Sequence, residues 1–166
     1  MARSVPPLPV VWPAAAAAVS AAMLATAHTF QHFGFEPCAL CLRQREVYWV
    51  ALVIGLAGAA ALRGNRRRLL FLALGALFTA GLIVAVFQSG AEWKFWPGPA
   101  TCATSGAGVT ADSLTALLGG ATVRPPACDE ASWRMLGLSM AGWNALVSAG
   151  LAVISFGLAF GRGRRA

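Results

Sequence analysis

Arg63-Gly64-Asn65-Arg66-Arg67-Arg68 separates two apolar runs, Cys41 to Leu62 before it and Leu69 to Ser89 after it. A short arginine-rich segment cannot sit in hydrocarbon and leaves room only for a turn, so the two runs fold back on each other as an antiparallel hairpin. The run after the turn carries no charge. At about 1.5 Å of rise per residue, each run is long enough to cross a hydrocarbon core of about 30 Å.

Outward from the hairpin, the same pattern repeats on both sides. An earlier apolar run extends from Leu8 to Phe30, with Pro13 near its start, where a proline costs a helix least. A cleaved signal peptide is the rival reading of that run, with Arg3 as its charged start and Ala25-Thr26-Ala27 as a small-residue cleavage site; the run is longer than the usual apolar core of about 7 to 15 residues. A final run, Leu136 to Phe160, closes at Arg162-Gly163-Arg164-Arg165. Within it Ala141, Ala145 and Ala149 recur every four residues, a spacing of small side chains that lets membrane helices approach closely.

Composition agrees. Of 166 residues, 58% are hydrophobic and 11% charged, and the mean hydropathy is +0.66; soluble domains carry about 25% charged residues. The formal net charge of +7 does not point to nucleic acid, because the arginines cluster between apolar runs instead of interleaving with polar groups along one face. They read as topology signals. Arg3, Arg63, Arg66, Arg67, Arg68, Arg162, Arg164 and Arg165 all fall on one side of an even number of spans, and that side is expected to be the cytoplasm. The acidic residues Glu36, Glu46, Glu92, Asp112, Asp129 and Glu130 lie on or near the other side.

The expected fold is thus an all-α membrane protein, one integral domain over residues 1–166. Its four transmembrane helices cover about 8–30, 41–62, 69–89 and 136–160, with both termini inside. The outer loop 90–133 is too polar to cross. Within it, Val109 to Leu118 has Asp112 as a possible N-cap and Leu114, Leu117 and Leu118 on one face, which predicts a short helix parallel to the membrane. Trp93, Phe95 and Trp96 suit the interface.

This topology puts Cys38 and Cys41 at the outer end of the second helix, and Cys102 and Cys128 in the outer loop, all facing a compartment where disulfides persist. Zinc would want a second close pair or histidines, and Cys102 and Cys128 are far apart in sequence; no metal is expected. Covalent haem would need His directly after Cys41, where Leu42 stands, and a thioredoxin-like motif would need a preceding strand. A structural disulfide stays open, and the four cysteines allow three pairings. A redox role has positive support. Near the first turn of a helix, the helix dipole favours the Cys41 thiolate, and Arg45, four residues on, comes round to the same face; Arg43 and Glu46 are spaced to pair with each other. Net oxidation also needs an electron sink, and in a bilayer a lipid-soluble quinone is the natural one.

Cys38-Ala39-Leu40-Cys41-Leu42-Arg43-Gln44-Arg45 after one apolar run, Trp96-Pro97-Gly98-Pro99-Ala100-Thr101-Cys102 after the third, and Cys128-Asp129-Glu130 before the fourth together resemble DsbB, the disulfide bond formation protein B family of bacterial inner membranes. The similarity spans nearly the whole chain. It implies that Cys102 exchanges with a DsbA-like periplasmic dithiol protein, that Cys128 then attacks Cys38, and that Cys41 is released facing membrane quinone, ubiquinone rather than menaquinone. By the same resemblance Arg45 is the quinone-site arginine. One position departs from the family pattern. Relatives often carry His at the end of the third helix where this chain has Gln88; His28 and His32 could substitute but read first as interfacial residues, while Gln88 and Glu92 read as loop anchors and Asn144 as an interhelical hydrogen-bonding group. Two other readings remain: a bundle like vitamin K epoxide reductase, whose loop cysteines come before its Cys-x-x-Cys and not after it, and a scaffold stapled by inert disulfides.

Overall fold

The computed structural model describes residues 8–61, 66–99, 115, 118 and 128–161. Four long helices make up nearly all of it: α1 (Leu8–His32), α2 (Ala39–Ala61), α3 (Arg66–Glu92) and α4 (Met140–Phe160). A two-stranded hairpin, β1 (Arg134–Met135) and β2 (Leu138–Ser139), leads into α4. By length and composition α1, α3 and α4 can each cross a membrane, and the chain is a multi-pass membrane protein. Helix α2 is long enough, but its first two turns carry Arg43, Arg45 and Glu46. The helix expected near 109–118 lies outside the described residues, except for Thr115 and Leu118, both helical.

The helices alternate in direction. At one end of the bundle the indole N–H of Trp12, early in α1, donates to Ser155 Oγ, late in α4, at 3.0 Å. There too Gly55 of α2 sits under the start of α1: a Cβ added at Gly55 would stand 2.7 Å from the Pro13 carbonyl oxygen and 3.0 Å from Ala17 Cβ, so only hydrogen fits. At the opposite end α2 meets α3 through Cys41 and Gln88, and α4 through Gln44 and Asn144. The core between, with Trp12, Leu24, Tyr48, Leu70, Phe71, Leu74, Phe78 and Leu151, is apolar. α3 packs chiefly on α4 and α1 on α2.

The ends of the helices at the cysteine side are closed by local chemistry. α1 stops at Gly34, whose φ of +90° allows Phe35 N–H to reach Phe30 O at 3.1 Å and Gly34 N–H to reach Gln31 O at 3.0 Å. α3 ends by the same motif, Phe95 N–H to Gly90 O at 2.9 Å and Lys94 N–H to Ala91 O at 3.0 Å, but with Lys94 in the left-handed position at φ +62°. The chain then folds back so that the Trp96 ring lies over Gly90, where a side chain would collide with it, and its indole N–H donates to Phe87 O at 2.9 Å.

Boundaries differ from the sequence expectation at both ends of α3, which takes in Arg66 to Arg68 and runs on to Glu92, and at the start of α4. The last apolar run begins at Leu136, yet α4 begins at Met140. Leu136 and Gly137 both have positive φ, +53° and +82°, and turn β1 into β2 as a tight hairpin. Ser139 is then the N-cap, its hydroxyl accepting from Gly142 N–H at 3.1 Å. Hydropathy marks where the chain is apolar, not where its backbone becomes helical.

Candidate functional site

The Cys-x-x-Cys pair is built into the start of α2. Cys38 holds the N-cap position: Leu42 N–H donates to its carbonyl at 3.1 Å and Cys41 N–H to its sulfur at 3.3 Å. The two-residue spacer therefore brings Cys41 to the third helical position, the place where a capping side chain accepts. Both are free thiols, with sulfurs 2.7 Å apart. The sulfur of Cys41 against it, together with burial, pushes the Cys38 thiol well above its ordinary range, so Cys38 holds its proton.

Behind Cys38 lies Cys128, buried and disulfide-bonded. The two form a small cluster edged by Ala39, Leu40 and Cys41. Cys128 is seated by its neighbour: Lys94 Nζ bonds the Asp129 carboxylate at 2.6 Å and the Asp129 carbonyl at 3.0 Å, joining the end of α3 to the far side of the loop. That ammonium holds the Asp129 carboxyl below the usual carboxylate range.

In front of Cys41 opens a cavity of about 360 Å³ between the helices. Met23, Leu24, Phe30, Trp133 and Trp143 give it apolar walls, and Cys38, Cys41, Gln44, Arg45, Gln88 and Glu92 also line it. The Gln88 amide nitrogen lies 3.4 Å from Cys41 Sγ and 3.2 Å from Glu92 Oε1, while its oxygen accepts from Gln44 Nε2 at 2.8 Å. Gln44 in turn accepts from Asn144 Nδ2, Asn144 accepts from the Tyr48 hydroxyl, and Tyr48 lies 3.1 Å from Ser148 Oγ. A buried polar chain thus runs from the reactive sulfur into the bundle, with each member satisfied by the next.

Arg45 lines the same cavity, one turn beyond Cys41. Its guanidinium donates to Gln31 Oε1 at 2.6 Å and to the Ala27 carbonyl at 3.0 Å, both on α1. Among the described residues it pairs with no carboxylate; Arg43 takes Glu46 at 3.0 Å on the exposed face. A cation held by neutral acceptors keeps its full charge for whatever enters the cavity.

Residues 10–158 match the family model described as disulfide bond formation protein DsbB. The chain belongs to the DsbB family. It is 32% identical over 149 residues to disulfide bond formation protein B of Azoarcus sp. (strain BH72), covering 87% of this chain and 89% of that one. To the protein of the same name from Albidiferax ferrireducens it is 30% identical, covering 86% and 83%, and to that from Polaromonas sp. 32%, covering 80% of each.

Within the DsbB pattern read from the sequence, the structure gathers Cys38, Cys41, Cys128 and Arg45 at one end of the bundle; Cys102 lies outside the described residues. One expectation is overturned. Gln88 and Glu92 are not loop anchors: both are buried in the wall of the cavity, and Gln88 contacts Cys41. His28 and His32 do not line the cavity: His28 stands beside Trp49 and His32 beside Phe33, so of the two readings of these histidines substitution for Gln88 is the one set aside. Gln44 was missed, and Tyr48, which by its place near the entrance of the second run suits the membrane interface, is buried in the bundle instead. The signal that marks them is their position one and two turns after Cys41 on the face shared with Arg45. Asn144 is the interhelical hydrogen-bonding group expected, and it lines the cavity as well.

Proposed function

We propose that this protein is a quinone-dependent thiol oxidoreductase of the bacterial inner membrane that reoxidises a DsbA-like periplasmic dithiol protein. In this reading four helices span the bilayer, both termini are cytoplasmic and the cysteines are periplasmic. The observation that carries it is the two-sided setting of one pair: Cys38 packs against Cys128, and Cys41 faces an apolar cavity lined by Arg45 and Gln88.

The residues then divide the work. Cys102, in disulfide with Cys128, accepts the thiolate of the partner; the partner's second thiol completes its own disulfide and leaves Cys102 and Cys128 as thiols. Cys128 attacks Cys38 of an oxidised Cys38–Cys41 pair, Cys41 leaves as a thiolate, and Cys102 displaces Cys38 to restore the loop disulfide. Two electrons now rest on Cys38 and Cys41 as a dithiol. The size, apolar walls and amide groups of the cavity suit a quinone head group, which when bound would supply a two-electron, two-proton acceptor; ubiquinone is the one the family resemblance implies. Arg45 places positive charge where negative charge develops during that transfer, and its bonds to α1 fix it there in advance.

Energetics constrains the relay. A DsbA-type oxidant has a potential of about −120 mV, against below about −300 mV for an ordinary structural disulfide, so with ordinary disulfides loop exchange alone would run the wrong way. Either these disulfides are unusually oxidising, or coupling to quinone draws the exchange forward.

The test is anaerobic mixing of the purified protein with a reduced DsbA-like protein and defined quinones. Wild type should reduce quinone in step with partner oxidation, and Cys41→Ser should not; undiminished turnover in that variant would sink the proposal. An inert scaffold would show neither quinone reduction nor a mixed disulfide at Cys102.

A further inference from the structure

One group in the cavity has no place in that scheme. Glu92 is only 7% exposed, yet its Oε2 has no hydrogen-bond partner among the described residues. Its other oxygen accepts from Gln88 Nε2 at 3.2 Å, the same nitrogen that lies 3.4 Å from Cys41 Sγ. The cations near it are committed elsewhere: Lys94, two residues on, is drawn to Asp129, and Arg45 to α1. The other titratable groups facing the cavity are Glu36, Cys38, Cys41, Tyr48 and Glu130. A buried carboxylate with one oxygen free and no counter-charge is expensive to keep unless it does something with a proton.

We propose that Glu92 is the proton-exchanging partner of Cys41, resting on the reading of the site as a thiol-to-quinone centre. Glu92 and Cys41 share one amide donor in one buried pocket, which sets the free carboxylate oxygen beside the proton that Cys41 must lose. Oxidation of the pair breaks two S–H bonds and forms one S–S bond; two electrons pass to the quinone, whose two oxygens must each gain a proton. Glu92 Oε2 takes the Cys41 proton and would pass it to one quinone oxygen, the proton that Cys38 releases as the disulfide closes would supply the other oxygen, and Glu92 ends as the carboxylate it began as. The free oxygen is the one that moves the proton, and Gln88 holds the other still.

Purified full-length protein in detergent supplies the test through two measurements: alkylation of Cys41 by iodoacetamide at neutral pH, followed by mass spectrometry, and anaerobic oxidation of the Cys38/Cys41 dithiol by a short-chain ubiquinone. Glu92→Gln keeps an oxygen for Gln88 and removes the charge. It should alkylate at Cys41 about tenfold faster, because the thiolate no longer faces a carboxylate, and oxidise about a hundredfold more slowly, because no group carries the proton. Glu92→Asp should return both rates toward wild type. Alkylation within about twofold of wild type in Glu92→Gln, or equal losses of oxidation in the Gln and Asp variants, overturns the inference. If wild type reduces no quinone, the proposed function fails by itself, and the alkylation comparison still decides whether Glu92 acts on Cys41.

Discussion

Gln88 and Cys41, 47 residues apart in the chain, stand with amide nitrogen and sulfur 3.4 Å from each other. The contact joins α3 to the first turn of α2 and fixes which way the sulfur faces. Since Gln88 also bonds Gln44 and Glu92, it is the hub of the buried polar set.

Replacing that hub should therefore cost both stability and chemistry. Gln88→Leu leaves the Gln44 amide and the nearer Glu92 oxygen without their partner, and each buried group so orphaned costs about 1–3 kcal/mol. The expected result is a clear fall in melting temperature in detergent, together with slower quinone reduction. Gln88→His, which keeps a ring nitrogen to donate, should lose less of both.

Arg45→Met should act on the acceptor side alone. The cation bound to Gln31 and Ala27 is lost, while the Cys38 and Cys128 cluster is untouched. Quinone turnover should drop by about tenfold to a thousandfold, as when one oriented charge or donor is removed. Formation of the mixed disulfide with the partner should keep its wild-type rate. Arg45→Lys should fall between, because one ammonium cannot serve two acceptors on α1 in the same planar geometry.

The Lys94 and Asp129 pair makes the seating of Cys128 sensitive to acid. Its carboxyl is held below the usual range in the folded protein, so the stabilisation is complete above the unfolded value of about 3.9 and is lost as pH falls through the lower, folded value. The pair is exposed, so the effect is local. Limited trypsin cleavage at Arg134 after brief acid pulses should stay slow down to about pH 4 and quicken below it. In Asp129→Asn it should be quick at every pH.

Tyr48→Phe tests the deeper end of the polar chain. Removing the hydroxyl leaves Asn144 Oδ1 and Ser148 Oγ short of their shared partner between α2 and α4. The cost should be about 1–3 kcal/mol in thermal or denaturant unfolding, with Cys41 alkylation unchanged because the sulfur lies at the other end of the chain.

How far the sequence carries can be judged residue by residue. The uncharged apolar run of α3 and the placement of Cys38 and Cys41 at a helix entrance were legible, because hydropathy and helix-start chemistry are local properties; Arg66 to Arg68, read as part of a turn, belong to α3 instead. So was the pairing of Arg43 with Glu46, three residues apart on one face. The hairpin before α4 was not, because Leu136 has no visible preference for the positive φ that Gly137 beside it accepts.

Sequence by itself determined that this is a bundle of apolar helices carrying a Cys-x-x-Cys at one end, since burial in hydrocarbon and 3.6-residue periodicity are written along the chain. Tertiary structure alone decided what surrounds the sulfur. Gln88 and Glu92 sit at the end of an apolar run where a polar residue reads equally well as a loop anchor, and Gln44 gives no sign of facing Asn144, 100 residues away. Which of three helices a polar side chain turns toward depends on the rotation and packing of all of them together, set by close approaches such as Gly55 under Pro13.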